Sequence, residues 1–189
     1  VGLVCADGIV LAADKRVTLG GMFVAHKKFD KVIKVNDRLA LTMAGSVSEA
    51  QLVVKLLQAE LKLKAMRTGV MPNISESVNL LAAIVYQNIR KFSPIIAITG
   101  FVVGGVDTKG FHLYEVGPDG SIMKHDDFYA DGSGMMMAFG VFETFVICCV
   151  KSNIFSITKT IIVLSPLSNF ISRVLYPTIS KNTIFPVIV

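Results

Sequence analysis

Two pairs of short apolar runs open the sequence, and a turn signal joins each pair. The pairs are residues 1–5 with 9–13 around Asp7-Gly8, and residues 31–35 with 38–43 around Asn36-Asp37. Alternating apolar and polar residues around such turn residues are typical of β-hairpins. The pattern therefore predicts two hairpins, which we expect to belong to one antiparallel sheet.

Two helices are predicted next. Ser46 with Glu49 has the spacing of a capping box, and Asn73 with Glu76 repeats it after Pro72. Apolar residues then recur at helical spacing, at Ala50, Val53, Leu57, Leu61 and Ala65, and at Val78, Leu81, Val85 and Ile89, up to Phe92. We expect Glu60 to pair with Lys64 on the first helix and Gly69 to end it.

Further strands are predicted after the helices. They are the run 95–106 and the runs 111–116 and 121–124 on either side of Pro118-Asp119-Gly120. A last helix is expected from about Gly134. The order of elements predicts an α+β fold in which helices cover layers of sheet, and a length of 189 residues is enough for a single domain.

The positive charge lies in the carboxyl-terminal quarter. Of the net charge of +5, residues 1–143 contribute little, since 15 Lys and Arg there face all 14 Asp and Glu, while residues 144–189 carry four basic residues and no acidic one. The basic residues form no cluster with aromatic partners, so no nucleic-acid partner is predicted. A membrane anchor is not predicted either, because Lys151, Lys159, Pro166 and Arg173 interrupt every apolar stretch of the required length.

The three cysteines favour an intracellular protein. Cys5, Cys148 and Cys149 have neither CxxC spacing nor nearby histidines, so we expect no metal site and no cofactor. We interpret them as reduced, buried thiols of a cytoplasmic protein. The amino terminus shows no basic residue before an apolar stretch, so no signal peptide is predicted.

Three separated segments resemble the landmark segments of archaeal-type proteasome β subunits of the 20S core. They are VGLVCADGIVLAADKRVT from Val1, LTMAGSVSEAQ from Leu41 and DGSGMMMAFGVFE from Asp131. The resemblance covers residues 1–143. It implies the four-layer αββα sandwich of N-terminal nucleophile hydrolases and the activity of a threonine endopeptidase.

The resemblance also implies a nucleophile upstream of Val1. In that family, cleavage of a propeptide exposes a threonine as the first residue, whose hydroxyl attacks while its own α-amine removes the proton. The sequence given begins a few positions after this threonine, so the chain as it stands is expected to be inactive.

Five residues are implied to act in catalysis. Lys31 would lower the pKa of the nucleophile and amine, Asp14 would hold the Lys31 charge, and Arg16 would support the same loop. The Gly45 amide would stabilise the oxyanion, and Ser133, between two glycines, would hydrogen-bond near the threonine amine. From the local pattern alone, Lys31 would be one of several surface lysines, and Gly45 and Ser133 would be ordinary loop residues.

The resemblance implies a substrate-binding strand at Thr18. Its backbone would align a peptide as an added β-strand, and Val17 and Met43 would line the pocket for the side chain before the cut bond. An uncharged pocket that includes a methionine predicts a preference for apolar residues, as in chymotrypsin-like cleavage.

Residues 144–189 do not match the family. The family continues there with a charged helix, an aspartate and a Ser-x-Gly that support the threonine, and this sequence has none of these. We interpret the segment as the product of a reading-frame change in the gene near residue 144, with true divergence as the alternative.

The implied partners are other β subunits in a seven-membered ring, α subunits, an ATPase regulatory particle and unfolded polypeptide substrates. Two other hypotheses stay open. One is a structural or degenerate β subunit without activity, which the missing tail elements favour. The other is a hydrolase of the same superfamily that acts without ring assembly.

Overall fold

The computed structural model describes residues 1–5, 8–19, 23–93, 98–152 and 185–188, with side chains as far as residue 144. The strands are β1 (Gly2–Cys5), β2 (Gly8–Ala13), β3 (Val17–Leu19), β4 (Phe23–His26), β5 (Val32–Lys34), β6 (Leu39–Gly45), β7 (Thr99–Asp107), β8 (Gly110–Val116), β9 (Ile122–His125), β10 (Phe128–Tyr129) and β11 (Phe185–Ile188). The helices are α1 (Val47–Thr68), α2 (Ile74–Ile89) and α3 (Met135–Ser152).

Two main sheets form the centre of the domain. One has the strand order β10-β1-β2-β11 and the other β5-β6-β7-β8-β9, while β3 and β4 form a separate pair. Both predicted hairpins are present, β1 with β2 and β5 with β6. The expectation that they share one sheet is wrong, since each hairpin belongs to a different sheet and the two sheets pack face to face.

The alternation of side chains along the strands produces four layers. Leu39, Leu41 and Met43 of β6 point toward α1 and α2, while Ala40 lies in the core between the sheets with Ile9 and Leu11 of β2. On the far side of the sheet that contains β10, Phe128 and Ala130 pack against Ala138 and Phe142 of α3. The order helix, sheet, sheet, helix is the predicted αββα sandwich.

The helices begin where the sequence predicts, and α1 ends at the predicted glycine, but the predicted side-chain cap of α1 is not formed. Asn73 accepts a hydrogen bond from the Glu76 amide at 2.7 Å, and Gly69 ends α1 in the left-handed conformation (φ 69°). Ser46 precedes α1, but its side chain does not cap the helix, and Glu49 binds the Asn88 side chain at 2.7 Å instead.

The expected Glu60–Lys64 pair is also wrong. Lys64 binds Glu76 of α2 at 2.9 Å. This pair joins two helices and competes with the contact that would join successive turns of α1.

The last helix begins as expected and continues past the end of the family resemblance. α3 runs from Met135 through Ser152, and β11 pairs in parallel with β2, with Phe185 opposite Val10. We interpret residues 144–189 as a frame-change product, and most of them, 153–184, lie outside the described residues. Cys5 is half-buried, and the side chains of Cys148 and Cys149 are not among those described.

Among the described residues, no helix is both long and apolar enough to cross a membrane.

A carboxylate that is 11% exposed connects β7, β8 and the start of α2. Asp107 accepts hydrogen bonds from the Lys109 amide and His112 Nε2, both at 2.8 Å, and interacts with the Ile74 amide at the first position of α2. Burial by itself raises the pKa of Asp107, but these hydrogen bonds more than offset it, so that the pKa is lowered. The ionised form is therefore stabilised by folding.

The substitution Asp107→Asn is expected to lower the free energy of unfolding by about 1–3 kcal/mol at neutral pH. Because the folded-state pKa is the lower one, this contribution is complete above the unfolded pKa of about 4. It disappears as the pH falls through the folded pKa. Urea denaturation at pH 7 and pH 3 tests this, with Asp126→Asn, whose side chain is 89% exposed, as the control. A stability difference that does not shrink at acid pH would contradict it.

Candidate active site

Asp14 and Lys31 form an ion pair where two strands of different sheets end. Asp14 directly follows β2, and Lys31 directly precedes β5. Lys31 Nζ lies 2.9 Å from Asp14 Oδ1, and the two side chains are 22% and 51% exposed. The Lys31 carbonyl accepts from the Met43 amide at 3.2 Å, which fixes its backbone against β6. The predicted pairing of these two residues is confirmed as a contact.

Neighbouring residues hold the two segments together. Lys15 forms an ion pair with Asp30 at 3.3 Å, and its carbonyl accepts from the Phe29 amide at 2.9 Å. The second carboxylate oxygen of Asp14 accepts from the Arg16 amide at 2.8 Å. Arg16 therefore supports Asp14 through its main chain.

Gly45 ends β6 in a backbone conformation that other residues rarely adopt. Its φ is +105°, and a Cβ at this position would collide with the carbonyl oxygen of Ile98. The same oxygen accepts from the Ser46 amide at 2.8 Å. The positive φ and the collision both require glycine at this exposed strand end.

Ser133 is exposed on the loop that connects β10 to α3. Gly132 has a φ of +99°, and a Cβ built on it would lie 3.9 Å from the Ala44 Cβ, so this loop lies beside the end of β6. Within the loop, Asp131 Oδ1 accepts from the Gly132 amide at 2.6 Å, and the Gly132 carbonyl accepts from Met135 at 3.1 Å. The fold therefore brings Ser133 to the same end of the sandwich as Gly45.

The amino end of β1 enters the gap between these groups. β1 lies between β2 and β10, with Gly2 opposite Leu11 on one side and Tyr129 on the other. If both antiparallel registers continue, a residue joined to the amino end of Val1 lies between Ala13 on the β2 side and Asp131 on the β10 side. The position before it lies between Asp14 and Gly132, and the position before that lies between Lys15 and Ser133.

The strand pairing also brings in a carboxylate that the sequence reasoning missed. Asp131 lies opposite the position joined to Val1 when the register of β1 with β10 is continued. The Val1 nitrogen donates to the Ala12 carbonyl at 2.9 Å. Asp131 adjoins the Gly-Ser-Gly segment in the sequence, but its place beside β1 depends on the pairing of β1 with β10.

The expected substrate-binding residues lie on two elements. Thr18 is exposed on β3, which pairs only with β4 among the described strands. Val17 is half-buried on β3, whereas Met43 is 7% exposed and packs in the core between β6 and the helices. Their joint role in a specificity pocket stays a prediction.

A shallow groove is lined by Ile89, Arg90, Ile98, Pro118 and Asp119, and of these Ile98 also contacts the Gly45 strand end. In the part of the chain that the structure describes, no three His, Cys, Asp or Glu side chains are grouped as a metal site would require.

Comparison with known proteins agrees with the fold. The sequence matches the model of the proteasome subunit family over residues 1–157. It is 38% identical over 143 residues to a proteasome subunit beta of Ferroglobus placidus and 42% identical over 146 residues to that of Methanocaldococcus fervens. The Methanothermobacter thermautotrophicus protein of the same name is 38% identical over 143 residues.

The shared region is a large part of each protein. Each of these matches covers 76% of this chain, and 66%, 62% and 65% of the respective relative. The chain thus spans slightly less than two thirds of the length of these curated relatives. With the family match over residues 1–157, the chain belongs to the proteasome subunit family and resembles its archaeal β subunits.

Proposed function

We propose that this chain is a catalytic β subunit of a 20S proteasome core, a threonine endopeptidase that hydrolyses peptide bonds of unfolded proteins. The observation that carries the proposal is the register of β1, whose upstream continuation enters the gap bounded by Asp14 and Ser133. A threonine a few positions before Val1 would lie there, within the group formed by Asp14, Lys31 and the Gly45 strand end.

The chemistry follows from these groups. The threonine oxygen bonds to the substrate carbonyl carbon, and the hydroxyl proton passes to the α-amine of the same residue. The Gly45 amide stabilises the oxyanion, while the Lys31 ammonium favours the deprotonated hydroxyl. The amine then gives the proton to the departing amide nitrogen, and water hydrolyses the resulting ester. Ser133 hydrogen-bonds near the amine and keeps it oriented.

Exposed apolar surface supports assembly into a larger particle. On α1, Leu52, Leu56, Ala59, Leu63 and Met66 recur at alternating spacings of four and three residues. Leu52, Leu56 and Met66 are 45%, 42% and 67% exposed, although a second stripe of the same helix is buried in the domain. A further apolar stripe on a helix is typical of a surface that packs against another chain.

We propose that this surface and the exposed Met136 and Met137 of α3 are covered in the particle. The partners would be other β subunits in a seven-membered ring and α subunits above it. Such a barrel would be cytoplasmic, would receive unfolded polypeptides from an ATPase regulatory particle, and would keep folded proteins away from the peptidase.

A second candidate is a structural or degenerate β subunit of the same particle. It is favoured by the absence of acidic residues from 144–189 and by the missing aspartate and Ser-x-Gly. The amino terminus of the native protein and its reaction with a peptide epoxyketone distinguish these two candidates. A mature amino-terminal threonine before Val1 that reacts with a peptide epoxyketone, which requires both hydroxyl and free amine, supports the peptidase. A protein without this terminus or without labelling supports the structural subunit.

The substitution Lys31→Ala in the full chain with its upstream threonine is expected to lower kcat/KM for a fluorogenic peptide by about 10²-fold or more. The reason is that the hydroxyl and amine lose the nearby positive charge. Epoxyketone labelling should slow in parallel, while the circular dichroism spectrum stays unchanged.

Lys34→Ala is the matched control for this substitution. Lys34 lies on the same strand segment and also pairs with an aspartate, Asp37, at 2.7 Å, but both of these side chains are largely exposed. This variant should retain full activity. Equal losses in the two variants would contradict a catalytic role for Lys31.

The double substitution Leu52→Ser and Leu56→Ser is expected to prevent ring assembly while the subunit remains folded. Exposed positions contribute little to monomer stability, about 0.5 kcal/mol each at most, but their burial would stabilise the interface. Light scattering after size-exclusion chromatography measures the assembly state. Gln51→Ser with Lys55→Ser, on the same helix, is the control that should assemble normally.

The assembled protein is expected to prefer apolar residues before the cut bond. Val17 and Met43 carry no charge, so a charged substrate side chain would lose its hydration without gaining a partner. A panel of fluorogenic peptides that differ only at this position measures the preference. Faster cleavage after acidic or basic residues would refute it.

A further inference from the structure

We propose that Asp131 is a positioning residue of the proposed active site, whose carboxylate fixes the loop that carries Ser133 against the ends of β6 and β7. Residues 131–134 form this loop, the Ser133 loop. The role rests on the proposed function, in which Ser133 is the group that must be held in place. Two contacts of the carboxylate and the close approach of Gly132 to Ala44 support it.

The chain is well anchored on both sides of the Ser133 loop. Before it, Phe128 and Ala130 are buried in a cluster with α3. After it, the Gly134 carbonyl accepts a hydrogen bond from the Ala138 amide at 3.1 Å, which begins α3. Ser133 itself is exposed, so packing of its own side chain does not hold the loop. The position of Ser133 therefore depends on the other residues of the loop.

One oxygen of Asp131 holds the backbone that leads into Ser133. Asp131 Oδ1 accepts a hydrogen bond from the Gly132 amide at 2.6 Å. Glycines lie on both sides of Ser133, and glycine loses more conformational freedom on folding than any other residue. A contact that orders the backbone at this point therefore offsets a larger entropic cost than it would elsewhere.

The other oxygen fills space that Gly100 leaves on β7. A Cβ at Gly100 would lie only 2.8 Å from Asp131 Oδ2, closer than real Cβ atoms come to other heavy atoms. Gly100 is opposite Ala44, the residue before the Gly45 strand end. The two oxygens thus have different contacts, one with the loop backbone and one with the end of β7.

The backbone of the loop meets the same pair of strands. Gly132 has a φ of +99°, and a Cβ built on it would lie 3.9 Å from the Ala44 Cβ. Because Ala44 is also the partner of Gly100, the contacts of Asp131 and Gly132 converge on one pair of opposed residues. The Asp131 carboxylate therefore connects the Ser133 loop to the strand end whose Gly45 amide would stabilise the oxyanion.

Asp131→Ala, in the assembled full chain with its upstream threonine, is expected to lower kcat for a fluorogenic peptide about tenfold or more, because small misplacements of catalytic groups are costly. KM should change little. Asp131→Asn should restore most of the loss, since its amide oxygen can accept from Gly132 and its side chain fills the same volume.

Asp126→Ala is the control, because this carboxylate is 89% exposed, and the variant should match the parent. A loss in Asp131→Asn as large as that in Asp131→Ala would overturn the inference, since the charge and not the contacts would then matter.

Gly100→Ala provides a second variant that leaves Asp131 in the sequence. The added methyl group displaces the carboxylate, so kcat should fall, by less than in Asp131→Ala. The same substitution in an Asp131→Ala background should cause no further loss, because no carboxylate is left to displace. Losses of equal size in both backgrounds would overturn the inference.

Hydrogen exchange of the assembled protein tests the loop contact without relying on catalysis. In Asp131→Ala, amides of residues 132–138 should exchange faster than in the parent, while those of α2 should not change. If the parent reacts with an epoxyketone and Asp131→Ala changes neither kcat nor exchange, the role of Asp131 is refuted and the peptidase stands. If the parent neither reacts nor hydrolyses peptides, the proposed function fails and the catalytic role of Asp131 fails with it, whereas faster exchange in Asp131→Ala would still confirm the loop contact.

Discussion

The close contact between the two main sheets is the constraint on which the site depends. Ile9 and Leu11 of β2 pack against Ala40 and Val102 of the other sheet. The sheets approach so closely that a Cβ on Gly104 would lie 2.8 Å from the Ile9 side chain. Because of this approach, the end of β2 with Asp14 and the start of β5 with Lys31 are within ion-pair distance.

Much of the fold could be predicted from local patterns. Alternation and turn residues located both hairpins, and Asn73 and Gly69 marked helix ends because their interactions are confined to one turn of chain. The assignment of the hairpins to one sheet failed because alternation reports which positions are buried, without reporting the partner. Glu49 binds Asn88, which is 39 residues away, so its role could not be inferred from capping-box spacing.

The site was predictable to a different extent for each residue. The pairing of Asp14 with Lys31 was found through the resemblance, since Lys27, Lys28 and Lys34 have equal claims from local sequence. Asp131 was missed because its position depends on the pairing of β1 with β10. That pairing joins residues more than a hundred positions apart, and no local pattern indicates it.

The contribution of residues 144–189 to activity differs from that of the residues that form the candidate site. Asp14, Lys31, Gly45 and Ser133 are all positioned by contacts among residues 1–143. β11 lies at the edge of the first sheet, where Pro186 is tolerated because an edge strand can lack one amide donor. The Asp14–Lys31 ion pair itself lies within residues 1–143, but Ile188 of β11 is opposite Ala13, the residue before Asp14. A change within residues 144–189 would therefore act on the site through the partner strand of β2 as well as through the missing supporting groups or through assembly. Only the last of these causes changes whether the particle forms.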